Sequence, residues 1–415
     1  MRLGFTRKIW LFLFGTFIHG LGQAFMFLFL NFYLKSLGLE DSYTGLVNAL
    51  PAFTTAGLSL PAVFLSRRFG EIRTIKLGTM LGLSGITIIA LANGPLVAVL
   101  GSLLQGVGSA FVMVANSPFM AKETTESNRV QLFSIQMALT TGAGFLGNIL
   151  GGRIPDWYGS ISGVAASSLP ALRAALLVSA VFQLTGLLSI MVIPNDMIVK
   201  NAPGKKMARF RIENKRLMTY LVFPSMLVGL GAGLTIPYLN LFVEAKFGID
   251  FKTLGSLFGW TSLATAATVL VQPTLVKKLG HIKTGLVVEV ASLPFLAMLA
   301  YSPSFGMVSV AMFTRGALMN ATGPAWGTYA MEHLSLADRP VYTALNNMSW
   351  SVTWAVAATV SGIFRQYMGP ALRVEAFHYL FAGTMLAYGL SMFLKYIWLY
   401  LPDKRSRSLQ LEGVK

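Results

Sequence analysis

The sequence predicts an all-α membrane protein, with twelve transmembrane helices in two six-helix repeats. Composition is the first observation. Of 415 residues, 54% are hydrophobic and 12% are charged, and the mean hydropathy is +0.63. Soluble domains carry roughly 25% charged residues, so the chain is built for a bilayer. The form of the apolar stretches is the second. They are long and unbroken, where a membrane β-barrel would show short alternating segments. The third is internal repetition. Residues 67–74 (RRFGEIRT) return at 277–284 (KKLGHIKT), and Pro170-Ala171-Leu172-Arg173 returns as Pro370-Ala371-Leu372-Arg373. Leu30-Asn31 matches Leu239-Asn240, and Glu123 with Arg129 matches Glu332 with Arg339. One membrane unit is written twice, the arrangement by which several transporter folds place a site between their halves.

Runs of about eighteen or more apolar residues mark the spans in order. The first half gives spans 1–6 at 9–34, 43–66, 74–92, 95–121, 130–152 and 171–193. The second gives spans 7–12 at 217–243, 253–276, 284–301, 304–331, 341–366 and 375–399. The connection around 159–170 is longer in the first half, which lowers the repeat offset from about 210 to 200 at the last motif pair. Residues 1–193 therefore form an N-terminal bundle and 217–415 a C-terminal bundle with a short cytoplasmic tail. Between them, 194–216 holds Lys200, Lys205, Lys206, Arg209, Arg211, Lys215 and Arg216 with Pro203 and Gly204, and reads as a cytoplasmic linker.

Charge placement orients the chain. With the N-terminus in the cytoplasm, 25 of 33 Lys and Arg fall inside, 7 outside and Arg315 within a span. The 16 acidic residues show a weaker division, 9 inside and 6 outside, with Glu289 in a span. A bias confined to basic residues is the positive-inside pattern, and it places both termini in the cytoplasm. The net charge of +17 then reflects orientation and contact with anionic membrane lipid, and no nucleic-acid partner is expected. The first apolar run is too long for a signal peptide and should be retained. Zero cysteines exclude disulfides, thiolate metal sites and cysteine nucleophiles. No helical HExxH, Walker loop or paired carboxylates are written, so neither an enzyme nor an ATP-driven pump is expected. No cofactor or metal site is expected either, and the chain should act as a monomer.

Twelve spans in a six-plus-six repeat, a basic central loop, and RRFG and KKLG after spans 2 and 8 resemble the major facilitator superfamily, and the resemblance covers nearly the whole chain. That family carries a G-x-L-a-D-R-x-G-R-K pattern after its second helix. Here 63–72 read VFLSRRFGEI, so Leu65, Arg68, Phe69 and Gly70 match while Arg67 stands where the acid is expected. The resemblance implies a cytoplasmic network of gating residues. In the first half these are Arg68, Gly70, Arg73, Glu123 and Arg129. In the second they are Lys277, Lys278, Gly280, Glu332 and Arg339. Residues 147–152 (GNILGG) resemble the family's antiporter stretch G-P-x-x-G-G, with Asn148 in place of the proline. Gly142 and Gly144 lie one to two turns earlier, and small residues at such spacing let helices approach closely.

In the resembling fold, helices 1, 4, 7 and 10 line a central cavity. The candidate substrate-binding residues are accordingly Arg315, Gln105, Gln23, Asn31, Asn240, Asn320, Trp326, Asn346 and Trp350. Polar groups are costly in hydrocarbon and should face one another or water. Arg315 is the sharpest, since arginine keeps its charge and must be solvated or paired. Its repeat mate is the neutral Gln105, so the cation belongs to one half alone. His19 and Glu289 are candidates for proton coupling. Glu289, on a span usually peripheral in the fold, is expected near the inner interface beside Lys283. The family's R-x-x-Q-G pattern on the fourth helix is incomplete, with Ser102 at the arginine position before Gln105 and Gly106.

Exporters of cationic drugs generally need a cavity carboxylate, and none stands at mid-depth on spans 1, 4, 7 or 10. The expectation is a secondary transporter of a small neutral or anionic amphiphile. It would work by alternating access as a proton-linked antiporter that exports, in the bacterial cytoplasmic (cell inner) membrane. The alternatives are a passive facilitator or importer of an organic anion, and a lipid or lysolipid flippase.

Overall fold

The computed structural model describes residues 5–195 and 212–403; most of the expected linker and the C-terminal tail lie outside the described residues. The described residues form helices joined by short turns, with no strand among them. In order they form α1 (Arg7–Ser36), α2 (Asp41–Phe69), α3 (Glu71–Ala90), α4 (Pro95–Lys122), α5 (Glu126–Gly151), α6 (Ile154–Ser162) and α7 (Leu169–Met191). There follow α8 (Lys215–Thr235), α9 (Leu239–Phe247), α10 (Phe251–Leu279), α11 (His281–Tyr301), α12 (Phe305–His333), α13 (Asp338–Leu372) and α14 (Glu375–Lys395). A turn of 3-10 helix at Ile236–Tyr238 joins α8 to α9, and a π-helical turn at Tyr396–Tyr400 continues α14.

Each expected span coincides with one long helical segment: spans 1–5 with α1–α5, span 6 with α7, span 7 with α8–α9, and spans 8–12 with α10–α14. Among the described residues, eight segments are long and apolar enough to cross a membrane. Two features went beyond hydropathy. The short α6 occupies the long connection of the first half. Pro237 lacks the N–H that an α-helix needs, and Ile236–Tyr238 tightens to a 3-10 turn at that point.

The chain forms two compact units that do not coincide with the sequence halves. Unit 1 comprises described residues 5–195, 237–263 and 358–374; unit 2 comprises 212–236, 264–357 and 375–403. In unit 1, α3 packs closely on α4 through small residues. A methyl group added at Gly85 would lie 2.6 Å from the Gly101 carbonyl, and one at Gly101 2.7 Å from the Gly85 carbonyl. Such contacts allow van der Waals attraction between backbones where lipid supplies no hydrophobic drive.

Each unit contains a core built on the same plan. In unit 1, Phe12, Leu13, Ile72 and Phe119 cluster, and in unit 2 their repeat mates Leu221, Val222, Ile282 and Tyr329 do. The sequence duplication is thus a duplication of packing. The turns between α2 and α3 and between α10 and α11 agree as well. Gly70 and Gly280 adopt φ of 89° and 78°, which a side chain would strain, and each starts the next helix without a linker.

Candidate functional site

Unit 2 encloses a cavity of about 520 Å³ among α8, α11, α12, α13 and α14. Arg315 on α12 lines it and is 7% exposed. Its Nη2 donates to the Tyr388 hydroxyl of α14 at 3.2 Å, and its guanidinium carbon lies 5.8 Å from that ring's centroid. Its Nε is buried without a hydrogen-bond partner. The cation therefore rests on a phenol, with donor capacity left over.

Glu289 on α11 lines the same cavity at 2% exposure. The sequence placed it at the interface beside Lys283, but Lys283 is exposed and the partner is Lys395 of α14. Lys395 Nζ stands 2.6 Å from Glu289 Oε1, and Trp326 Nε1 of α12 donates to the same oxygen at 2.8 Å. Lys395 also sits 4.5 Å from the Trp326 ring centroid, a cation–π contact. The second carboxylate oxygen, Oε2, is buried without a partner.

Sequence reasoning missed Lys395 and Tyr388. Lys395 stands four residues before the expected end of span 12 and was counted among the cytoplasmic orientation charges. Because helix continues through the π-helical turn to 400, Lys395 is held inside the bundle, and it is 6% exposed. Three further expected residues, Asn320, Asn346 and Trp350, reach the cavity. Asn346 Oδ1 is buried without a partner, while Asn320 donates to the Gly316 carbonyl at 2.8 Å. Trp350 stacks on Trp354 with centroids 5.0 Å apart.

Unit 1 has its own cavity of about 250 Å³, which brings together His19, Gln23 and Gln105 with Gln183 of α7. Gln105 Nε2 lies 2.9 Å from Met26 Sδ, and His19 Nδ1 is buried without a partner. The repeat mates Gln105 and Arg315 thus serve equivalent positions with different chemistry, and of these two cavities, among the described residues, Asp, Glu, Lys or Arg side chains line only that of unit 2.

Asn31 and Asn240 line neither cavity; they meet each other inside unit 1. Asn31 Nδ2 donates to Asn240 Oδ1 at 2.9 Å and to the Pro237 carbonyl at 2.6 Å. Asn240 Nδ2 donates to the Leu28 carbonyl, and Asn48 Nδ2 to Asn31 Oδ1. Both asparagines are buried with both ends of their amides engaged. Nearby, segments from the two sequence halves touch through glycine. Gly45 of α2 meets Gly362 of α13, and Gly152 after α5 meets Gly255 of α10. Gly45 and Gly255 are repeat mates, as are Gly152 and Gly362, so the two contacts are one contact used twice.

A charged latch reinforces the Gly45–Gly362 contact. Arg365 of α13, 3% exposed, donates from Nη1 to Asp41 Oδ1 of α2 at 2.9 Å. Its guanidinium carbon lies 4.0 Å from the Tyr238 ring centroid. Gln366 Nε2 donates to Glu40 Oε2 at 2.7 Å beside it.

The gating candidates lie at the helix ends around the Gly70 and Gly280 turns. Glu123 pairs with Lys8 of α1 at 3.3 Å, and Glu71 with Lys122 at 3.3 Å. Arg129 donates to the Ala121 carbonyl, and Arg68 packs on Phe69. In unit 2, Glu332 meets His281 at 3.4 Å and Arg339 donates to the Leu334 carbonyl. Lys277 and Lys278 are exposed in the last turn of α10, where the helix dipole favours cations. Among the described residues, Arg73 has no hydrogen bond or ion pair to Glu71 or Glu123. Asp338 is a residue the sequence did not single out: fully buried, it accepts the backbone N–H groups of Glu213 and Asn214 at 3.0 and 3.1 Å.

Duplicated helical units, each with a polar cavity inside an apolar shell, define an integral membrane transporter. The Major Facilitator Superfamily profile matches residues 12–358 and 221–414, and the chain belongs to that family, whose members are transporters and not enzymes. Multidrug resistance protein MdtG of Proteus mirabilis (strain HI4320) is 23% identical over 282 residues, 64% of this chain and 65% of that protein, so the matched region spans about two thirds of the relative. Among solved structures, a bacterial homologue of the human lysosomal transporter Spinster in an inward-facing, occupied conformation superposes with a TM-score of 0.75 at 12% identity, over 94% of this chain and 96% of that one. The nucleoside transporter NupG gives a TM-score of 0.72 at 14% identity, covering 96% and 99%. At these identities the structures share the fold alone.

Proposed function

We propose that the chain is a secondary transporter of a small neutral or anionic amphiphile, working by alternating access and leaning to proton-linked export. One observation carries this reading: the unit 2 cavity holds two cations, Arg315 and Lys395, and one carboxylate, Glu289. Glu289 is committed to Lys395, so Arg315 remains a buried cation without a counter-charge, suited to an anionic or carbonyl oxygen. The aromatic and aliphatic lining from Trp326, Trp350 and Met319 suits an apolar body, and the volume falls within the ordinary range for small-molecule sites.

Export in a bacterial inner membrane is supported by the relative named as a multidrug resistance protein and by the glycine stretch of α5. Cytoplasmic termini accord with the charge pattern, and the chain acts as a monomer in this reading. The contacts around Asn31, Asn240 and Arg365 serve in this reading as the outer closure. The polar contacts at the Gly70 and Gly280 turns serve as the inner one, each weak and partly exposed, and together they bias an equilibrium.

Proton linkage would run through Glu289. The groups that face it are Lys395 from α14 and Trp326 from α12, with Arg315, Tyr220, Tyr342 and Tyr388 around the shared cavity. Its protonation would release Lys395. In proteoliposomes holding a fluorescent organic anion, an imposed pH gradient should drive efflux by the wild type and not by Glu289→Gln, while His19→Gln retains it. Gradient-independent movement by the wild type would favour a passive facilitator and refute the proton linkage.

A further inference from the structure

Resting on the substrate reading above, we infer that the ligand of the unit 2 cavity is amphoteric: a monoanion that also carries a hydrogen-bond donor, a hydroxyl or an ammonium group. The anion would be held by Arg315 and the donor by the free oxygen of Glu289.

The inference comes from three residues that line one cavity, each with a buried polar atom whose hydrogen-bonding capacity is unspent. Arg315 Nε is a donor without an acceptor. Glu289 Oε2 is an acceptor without a donor, although the other oxygen of the same carboxylate takes two, from Lys395 and Trp326. Asn346 Oδ1 is the third, and its amide can present either end by rotation. Buried polar atoms are seldom left unpaired, because each forfeits its hydration, and the cost is greater where the group is charged. The protein could have avoided the cost at Glu289 by placing a serine or asparagine beside Oε2. A purely anionic ligand would satisfy Arg315 and leave that oxygen as it was.

Charge points the same way. Glu289 and Lys395 neutralise each other, so the site has room for one net negative charge, at Arg315. A dianion would have to compete with Glu289 for Lys395. A simple cation would meet Arg315 and Lys395 on the same walls. A donor on a monoanion meets neither obstacle, and a zwitterion bearing a further anionic group also fits. Lys395 is thereby a positioning residue. With Trp326 it engages one carboxylate oxygen and leaves the other for the ligand's donor, as supporting contacts orient functional groups in general.

The test compares matched ligands on the wild-type protein in detergent, so it needs no variant to fold. The probes are 3-phenylpropanoate and longer ω-phenylalkanoates, each with its hydroxyl- and amino-substituted counterpart, and the corresponding neutral alcohols. Binding is read from thermal stabilisation and calorimetry. A hydrogen bond to a charged acceptor should make the best donor-bearing anion bind about tenfold or more tightly than its unsubstituted parent. Glu289→Gln turns the free acceptor into a donor, and the preference should pass to the keto analogue.

If this variant is unstable because Lys395 is left unpaired, the double variant Glu289→Gln/Lys395→Met removes both charges and should also lose the preference for a donor. Equal binding of parent and donor-bearing anions at every chain length would overturn this inference and leave the anion reading intact. Failure of every anion to bind, or binding of the alcohols alone, would overturn this inference together with the anionic part of the substrate reading.

Discussion

The charged latch between α2 and α13 makes the most quantitative prediction. Asp41→Asn keeps the shape of the side chain and removes the charge that faces Arg365. The guanidinium is 3% exposed on its side-chain surface, while the Asp41 side chain is 22% exposed. Removing one partner of a fully buried pair costs about 3–5 kcal/mol. Partial exposure of Asp41 and the remaining contact with Tyr238 at 4.0 Å reduce that to about 2 kcal/mol. On the proposed alternating-access cycle, this energy is lost from the closed arrangement, so the open population should rise about thirtyfold.

The chain has no cysteine, which makes the assay direct. Ala358 is fully buried one turn before Gly362, on the α13 face that meets Gly45. The labelling rate of Ala358→Cys by a water-soluble maleimide should therefore rise by the same factor when Asp41→Asn is added. Replacing the pair together, Asp41→Asn with Arg365→Leu, should return much of the loss, since the stranded charge is gone. An unchanged labelling rate in Asp41→Asn would refute the view that this pair holds the contact shut.

Asn31→Ala removes donors to Asn240 and Pro237 and an acceptor for Asn48, and should lower thermal stability by about 1–3 kcal/mol; ligand affinity, read by calorimetry, should stay within twofold. Asp250, in the turn between α9 and α10, accepts hydrogen bonds from the side chain and backbone N–H of Thr253, which hold its carboxyl below the ordinary value of 3.8. Because its pKa is depressed in the folded state, its contribution is complete above that ordinary value and is lost as pH falls through the folded one. Asp250→Ala should accordingly lower the unfolding temperature at pH 7 by an amount equivalent to about 1 kcal/mol, and the difference from wild type should shrink below pH 4.

The helices were legible because each needs a long apolar run and the repeat supplies it twice. What hydropathy could not say is which face of a helix a residue occupies. Lys395 and Arg365 looked like two more interfacial charges, since a lone cation near a span end usually marks topology. Only the helix partners reveal them as buried pairs with Glu289 and Asp41. Arg315 was readable for the opposite reason: it stands well inside a span, where a permanent charge needs explanation. The matched asparagines 31 and 240 drew notice as polar residues in spans. Their repeat relation carried a further meaning, because residues related by the duplication can meet one another at the joint between the halves. That joint also explains the matched glycines at 45 and 255 and at 152 and 362.

The central claim is that Arg315 holds the negative end of the substrate in the unit 2 cavity. The most direct measurement is thermal unfolding of the purified protein in detergent against anionic, neutral and cationic amphiphiles of equal size. An anion present at one hundred times its dissociation constant should stabilise the wild type by about 2.7 kcal/mol and should leave Arg315→Gln unmoved. Stabilisation by cations alone, or equal stabilisation of wild type and Arg315→Gln by the anions, would contradict it.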